Sequence, residues 1–149
     1  MNYRSLAIAA VVAWVVDSIY GFLVFGLALS AEFARYPAVF RSFEAVNAML
    51  PLMFGSSLIA TLLLAYIFAK GHEGGPGLQE GLRFGVVFGL FMFFSVSIST
   101  YVIYNIGRKL AVESSIAGFV ETMLMGAVLG LMYKPAPRVT GATRQTAAI

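Results

Sequence analysis

Residues 5–29 read SLAIAAVVAWVVDSIYGFLVFGLAL, an apolar run broken by a single charge, Asp17. A helix of about 20 apolar residues crosses the hydrocarbon core of a bilayer. A signal peptide is the rival reading, since Ala28, Leu29 and Ser30 loosely resemble a cleavage site. The apolar stretch is too long for that, and a carboxylate stands in its middle. The run therefore predicts a transmembrane helix. Three more follow, at about 46–69, 82–106 and 114–133. The chain reads as all-α, a polytopic membrane protein whose four spans form two antiparallel hairpins. A four-helix transmembrane domain covers 1–133, and a cytoplasmic tail covers 134–149.

Composition agrees. Of 149 residues, 60% are hydrophobic and 11% charged, against about 25% charged in a soluble domain. Mean hydropathy is +0.86. There is no cysteine, which excludes disulfides, thiolate metal sites and thiol redox chemistry. The net charge of +3 sits mostly at membrane edges, where it serves topology and lipid headgroups rather than nucleic acid.

Lys and Arg counts orient the chain. Arg4, Lys70, Arg83, Lys134, Arg138 and Arg144 fall on one side, and Arg35, Arg41, Arg108 and Lys109 on the other. The excess places both termini in the cytoplasm.

The connections differ in character. In the first loop Phe33, Tyr36, Phe40 and Phe43 recur every three or four residues among Glu32, Arg35, Arg41 and Glu44. Two readings stand open: a short amphipathic helix in the outer interface, with Pro37 as first turn or kink, or aromatics packed over the bundle mouth. The second loop is rich in glycine but lacks the Gly-Lys-Ser/Thr ending of a phosphate-cradling loop, so it reads as a flexible connector. His72 stands there without a metal partner. The tail has too little apolar content to order itself, so an ordered tail implies a partner that holds it.

Helices associate in lipid where small residues let backbones approach. Gly81, Gly85 and Gly89 open the third span at four-residue spacing, with Met92, Val96 and Ser99 continuing that face. Gly126 and Gly130 lie one turn apart in the fourth. Ala10, Ala13, Asp17, Gly21 and Ala28 share one side of the first. The second offers Gly55, Ser56, Ser57, Ala60 and Thr61. These positions read mainly as packing faces.

The chemistry concentrates at mid-membrane. Asp17 lies near the middle of the first span, and Glu121, about two turns into the fourth, reaches a similar depth from the opposite side. A charge at a helix centre costs roughly 3 kcal/mol on insertion scales, so such residues face inward and serve a function by default. Asp17 shares the small-residue side of its helix. Glu121 projects about 140° from Gly126 at 100° per residue, toward a bundle neighbour, another subunit or lipid. No Lys or Arg falls inside any span. Three readings follow: protonated carboxyls bonded to Ser56, Ser57, Thr61, Ser95 or Ser99; proton or cation handling; or pairing with a basic residue of a neighbouring protein. Enzyme chemistry finds no support, since no intramembrane histidine, metal-ligand spacing or serine–base pair is present. No cofactor or metal is expected.

The segments YGFLVFG (20–26) and IATLLLAYIFA (59–69), the ladder of Gly81, Gly85 and Gly89, Gly118, and MGAVLGLMY (125–133) together cover nearly the whole chain. In them the chain resembles an uncharacterised bacterial family of small four-helix membrane proteins, a domain of unknown function. Asp17 departs from the small apolar residue expected there. The resemblance implies a fold, a topology and the bacterial cytoplasmic (inner) membrane, but no activity.

Two functions are carried forward. The first is an accessory or structural subunit of a larger membrane complex, respiratory or photosynthetic, with other membrane subunits or copies of itself as partners within the bilayer. The second is a small, dimeric proton- or cation-coupled transporter using Asp17 and Glu121, with Ser57 and Ser99 in the polar layer.

Overall fold

A computed structural model of the chain describes residues 1–136. Most of the expected tail, with Arg138 and Arg144, lies outside the described residues. Among the described residues every regular element is helical: α1 (Tyr3–Ala28), α2 (Ser30–Phe33), α3 (Phe43–Ala48), α4 (Leu50–Gly71), α5 (Gly77–Ile103) and α6 (Arg108–Met132). The helices α1, α4, α5 and α6 contain 26, 22, 27 and 25 residues and are long and apolar enough to cross a membrane. At 1.5 Å per residue each exceeds the ~30 Å of a hydrocarbon core.

Local chemistry moves several boundaries from their expected places. The second long helix begins at Leu50 rather than near 46, because Ser42 caps a separate helix by accepting from the Ala45 N–H at 3.3 Å. Pro51 then sits in the first turn of α4, where its missing N–H costs nothing. The fourth helix begins at Arg108 because Arg108, Lys109 and Glu113 occupy helical turns too polar for a hydropathy scan to include. The first loop is two short helices joined through a turn containing Pro37, not one amphipathic helix. Phe33 and Phe40 meet edge to face across that turn, 5.0 Å between centroids.

The central pair is α1 and α6. α4 packs on the outer side of α1, and α5 on the outer side of α6. The α5 and α6 backbones touch. A Cβ on Gly85 would stand 2.7 Å from the Thr122 carbonyl oxygen, and one on Gly126 would stand 2.9 Å from the Gly85 Cα. Gly81 and Gly130 are equally closed to a side chain by Gly126 and Gly77. Only glycine permits this approach, which replaces side-chain interdigitation with backbone contact. Alanine does the same work between α1 and its neighbours: Ala9, Ala10 and Ala13 are fully buried with Leu6, Leu64, Ala65, Phe68, Met125, Leu129 and Tyr133.

That core occupies one end of the molecule, here the near end, where α1 starts and α6 finishes. The glycine-rich connection there is held rather than loose. Glu80, buried in the first turn of α5, accepts from the Gly75 N–H at 2.9 Å and the Glu73 N–H at 3.4 Å, and pairs with Arg83 at 3.0 Å. Toward the far end packing fades. No residue from 14 to 60 is buried, and none from 90 to 105. Within that half α1 and α5 widen into π-helix at Phe22–Ala28 and Phe93–Ser97.

A candidate carboxyl pair between two central helices

α6 carries two packing faces. Gly126 and Gly130 turn to α5. Ala117, Met125 and Leu129, in register with Glu121 at four-residue steps, are buried, and Met125 and Leu129 join the α1 alanines in the core. Measured from Gly126 alone, Glu121 points away from the bundle. Measured from Ala117 and Met125, it points at α1. The α1 face opposite carries Ala10, Ala13 and, one turn on, Asp17.

The two carboxyls come together there, close enough for a proton on one to bond the other. Asp17 lies 14 residues from Tyr3 and 11 from Ala28, and Glu121 lies 13 from Arg108 and 11 from Met132 (residue-number differences from the helix limits). Both are therefore mid-helix. Gly21 lies beside them, where a Cβ would make an ordinary contact with Glu121 Oε1 at 3.9 Å. Above them the Tyr20 hydroxyl donates to the Ala117 carbonyl at 2.9 Å, a second polar tie between α1 and α6. Among the described residues, neither carboxyl forms an ion pair with Lys or Arg.

A hydrogen bond between two carboxyl oxygens requires a proton on one of them, because an ionised carboxylate only accepts. Two carboxyls so placed can share one proton, which offsets the cost of burying both.

The serines and threonine expected to partner the carboxyls bond elsewhere. Ser56, Ser57, Thr61 and Ser95 donate to the carbonyls of Met53, Phe54, Ser57 and Phe91, each within its own helix. Ser57 also accepts from Trp14 Nε1 at 2.9 Å, tying α4 to α1. Ser99 is exposed toward the far end of α5. Gly21, Gly81, Gly85, Gly89, Gly126 and Gly130 lie at interfaces, Gly21 at that of α1 with α6 and the rest between α5 and α6.

Two polar atoms near the pair are shielded without a partner: Ser18 Oγ, next to Asp17 in sequence, and Glu113 Oε2, two turns from Glu121 on α6. Sequence reading did not single them out. The four-residue spacing of Lys109, Glu113, Ala117 and Glu121 was the available signal. It also missed Glu80, whose signal was a carboxylate in the first turn after a glycine-rich loop. His72 packs between the rings of Phe68 and Tyr133, and its Nδ1 accepts from the Gly74 N–H at 3.0 Å. Among the described residues no three His, Cys, Asp or Glu side chains are grouped to hold a metal. A surface cavity of 530 Å³ lined by Lys70, His72 and Tyr133, and one of 240 Å³ lined by Phe68, Glu80, Arg83 and Phe84, lie at the near end, away from the carboxyls.

No protein-family model, curated protein or solved structure matches this chain.

Proposed function

We propose that the chain is a multi-pass integral membrane protein, and that it acts as a small proton- or cation-coupled transporter whose coupling site is the Asp17 and Glu121 pair. Its four long helices are read as two antiparallel hairpins in the bacterial cytoplasmic membrane, with both termini cytoplasmic. The observation that carries the reading is the meeting of two mid-helix carboxyls from the two central helices, neither of them ion-paired with Lys or Arg among the described residues. Leaving both ionised in lipid would cost several kcal/mol. One shared proton removes half of that charge and can be exchanged for a cation or passed to water. Each carboxyl has its partner inside the chain, so neither calls for a basic residue from a neighbouring protein.

Vesicles containing the purified protein and an internal pH dye, under an imposed potassium diffusion potential, test this. Proton uptake above that of protein-free vesicles is expected, with loss in Asp17→Asn and Glu121→Gln. Wild-type uptake no faster than the empty vesicles overturns the proposal.

A subunit role in a larger membrane complex is the second reading, and the open half of the bundle favours it. Phe22, Phe91 and Phe94 are 61%, 62% and 66% exposed there. A partner helix would cover them as well as lipid does. Crosslinking in native membranes tests this reading; it fails if the chain crosslinks only to itself or to nothing.

A further inference from the structure

Beside the carboxyl pair, toward the far end, the bundle interior has room that its own side chains leave unfilled. At 100° per residue Gly118 stands about 160° round α6 from both Ile116 and Val120, which are 60% and 45% exposed. Gly118 therefore faces inward, and yet a Cβ there would meet nothing within 4 Å. It lies one turn from Glu121 and about 60° round from it. On α1, Gly21 is one turn beyond Asp17, and a Cβ there would meet only Glu121 Oε1, at 3.9 Å. Both central helices withhold a side chain beside the same two carboxyls.

Rings border this room. Trp14 and Tyr20 lie three residues to either side of Asp17, about 4.5 Å along the axis. Each is tied to a neighbouring helix: the Trp14 indole N–H donates to Ser57 Oγ at 2.9 Å, and the Tyr20 hydroxyl to the Ala117 carbonyl at 2.9 Å. Phe54 of α4 meets Trp14 edge to face, 6.2 Å between centroids. On α5, Gly89 abuts Thr122, which sets Phe88, its neighbour in sequence, at the level of Glu121. The way in lies between α4 and α5. Phe68 and Phe84 join those helices at the near end, 5.4 Å between centroids. Farther along, no residue of α4 before Thr61 and none of α5 after Gly89 is buried. Ile106 and Leu110 are buried at the far end, so the gap opens sideways, toward lipid.

Charge decides what fits. With one shared proton the pair keeps one negative charge, and among the described residues no Lys or Arg forms an ion pair with it. A second proton or a monocation neutralises that charge, so the two compete for it. A hard metal cation collects about six oxygen ligands, and this wall offers two carboxyls among rings and glycines. A cation coated in carbon is held by that same mixture, a carboxylate for its charge and aromatic groups for its surface.

We infer that the room beside Asp17 and Glu121 is the binding site of a lipophilic organic monocation, a quaternary ammonium or phosphonium in kind. It enters from the bilayer between α4 and α5 and competes there with a proton. This rests on the reading of the pair as a coupling site, and it names the class of substrate that the site takes.

Equilibrium dialysis of the full-length protein in a non-ionic detergent tests this, with tetraphenylphosphonium as the probe. Tetraphenylborate has the same shape and the opposite charge, and serves as the control. Saturable binding of the phosphonium is expected, weaker at lower pH because protons occupy the same charge. Binding is expected to be at least about tenfold weaker in the Asp17→Asn, Glu121→Gln double variant, and in Gly118→Leu, which fills the room. No saturable binding by the wild type overturns the inference. Equal binding of tetraphenylborate overturns it too, since an apolar groove for acyl chains or a partner helix would not read charge. Undiminished binding in either variant also overturns it. The double variant swaps carboxyls for amides of the same shape, so it remains readable even if Gly118→Leu disturbs folding. Dialysis measures no flux: vesicles that show no proton uptake overturn the transport reading by a separate result, and failure to bind the phosphonium overturns this inference alone.

Discussion

Asp17 and Glu121 show what a residue in this chain gains from its neighbours. Each alone is an insertion cost, and brought together they can share a proton. Tyr20, one turn from Asp17, ties the same helices by its hydroxyl to Ala117. Tyr20→Phe leaves the ring and removes that bond, so unfolding in detergent is expected to show a loss of about 0.5–1.5 kcal/mol. Asp17→Asn is milder for stability than for flux, because an amide still donates to the Glu121 carboxylate. At Glu32 the effect is electrostatic. The hydrogen bond from Lys109 holds this carboxyl below its usual range against the opposing effect of burial, with the Arg35 charge assisting. A lowered carboxylate value means the contact of Glu32 with Lys109 is complete above the ordinary glutamate value and is lost as pH falls through the lowered one. Arg35 and Lys109 are the charged groups facing Glu32, and Glu113 approaches Lys109 from within α6. The distance between spin labels at Ala31→Cys and Val112→Cys, both exposed positions, is therefore expected to be constant from about pH 7 to 5 and to widen below about pH 4. Widening on going alkaline from neutral pH would contradict this assignment.

At the scale of elements, the α5/α6 seam separates glycines by role. Gly126→Leu would force two touching backbones apart and is expected to cost at least the 1–3 kcal/mol typical of overpacking. Gly55→Ala and Gly118→Ala meet nothing within 4 Å, so the same unfolding measurement should find them neutral, or stabilising by up to about 1 kcal/mol from helix propensity. If Gly126→Leu is as stable as Gly118→Ala, the seam is misassigned. Periodicity already marked Gly81, Gly85 and Gly89 as a face. It did not say which helix they meet. Glu121 was left open between a bundle neighbour, another subunit and lipid for a related reason: its angle was taken from one face of α6, and a central helix has two. The serines of α4 and α5 were offered to the carboxyls because they share their depth. Helical serines can satisfy themselves on a carbonyl one turn back, and Ser56, Ser57 and Ser95 do so.

Across the whole molecule, packing is graded from one end to the other. The near end holds the apolar core, the Glu80 network around the glycine-rich turn, and the contact of Ser5 with the Lys134 N–H at 2.7 Å. The far end holds exposed rings, two π-helical stretches, a smaller buried patch at Ile106 and Leu110, and the contacts of Glu32 with Lys109 and Tyr36 with Gly107. Local opening follows the number of buried contacts. Amide exchange in detergent is expected to be slowest around Ala9, Ala10, Ala65 and Leu129 and fastest along Phe22–Ala28 and Phe93–Ser97. Uniform protection along α1 would contradict a graded bundle. The carboxyl pair sits at the boundary between the closed and open halves.

The number of long apolar helices, their rough limits and the presence of two mid-helix carboxyls were determined by the sequence alone. Hydropathy and three- or four-residue spacing are local properties, written into each segment whatever surrounds it. Tertiary structure decided that α6 lies between α1 and α5, that Glu121 turns to Asp17, and that Glu32 and Tyr36 reach the start of α6. Those outcomes depend on which faces find each other across tens of residues of chain, 71 in the case of Tyr36 and Gly107. In an apolar solvent many faces are nearly equivalent until backbone contact and polar pairing choose among them.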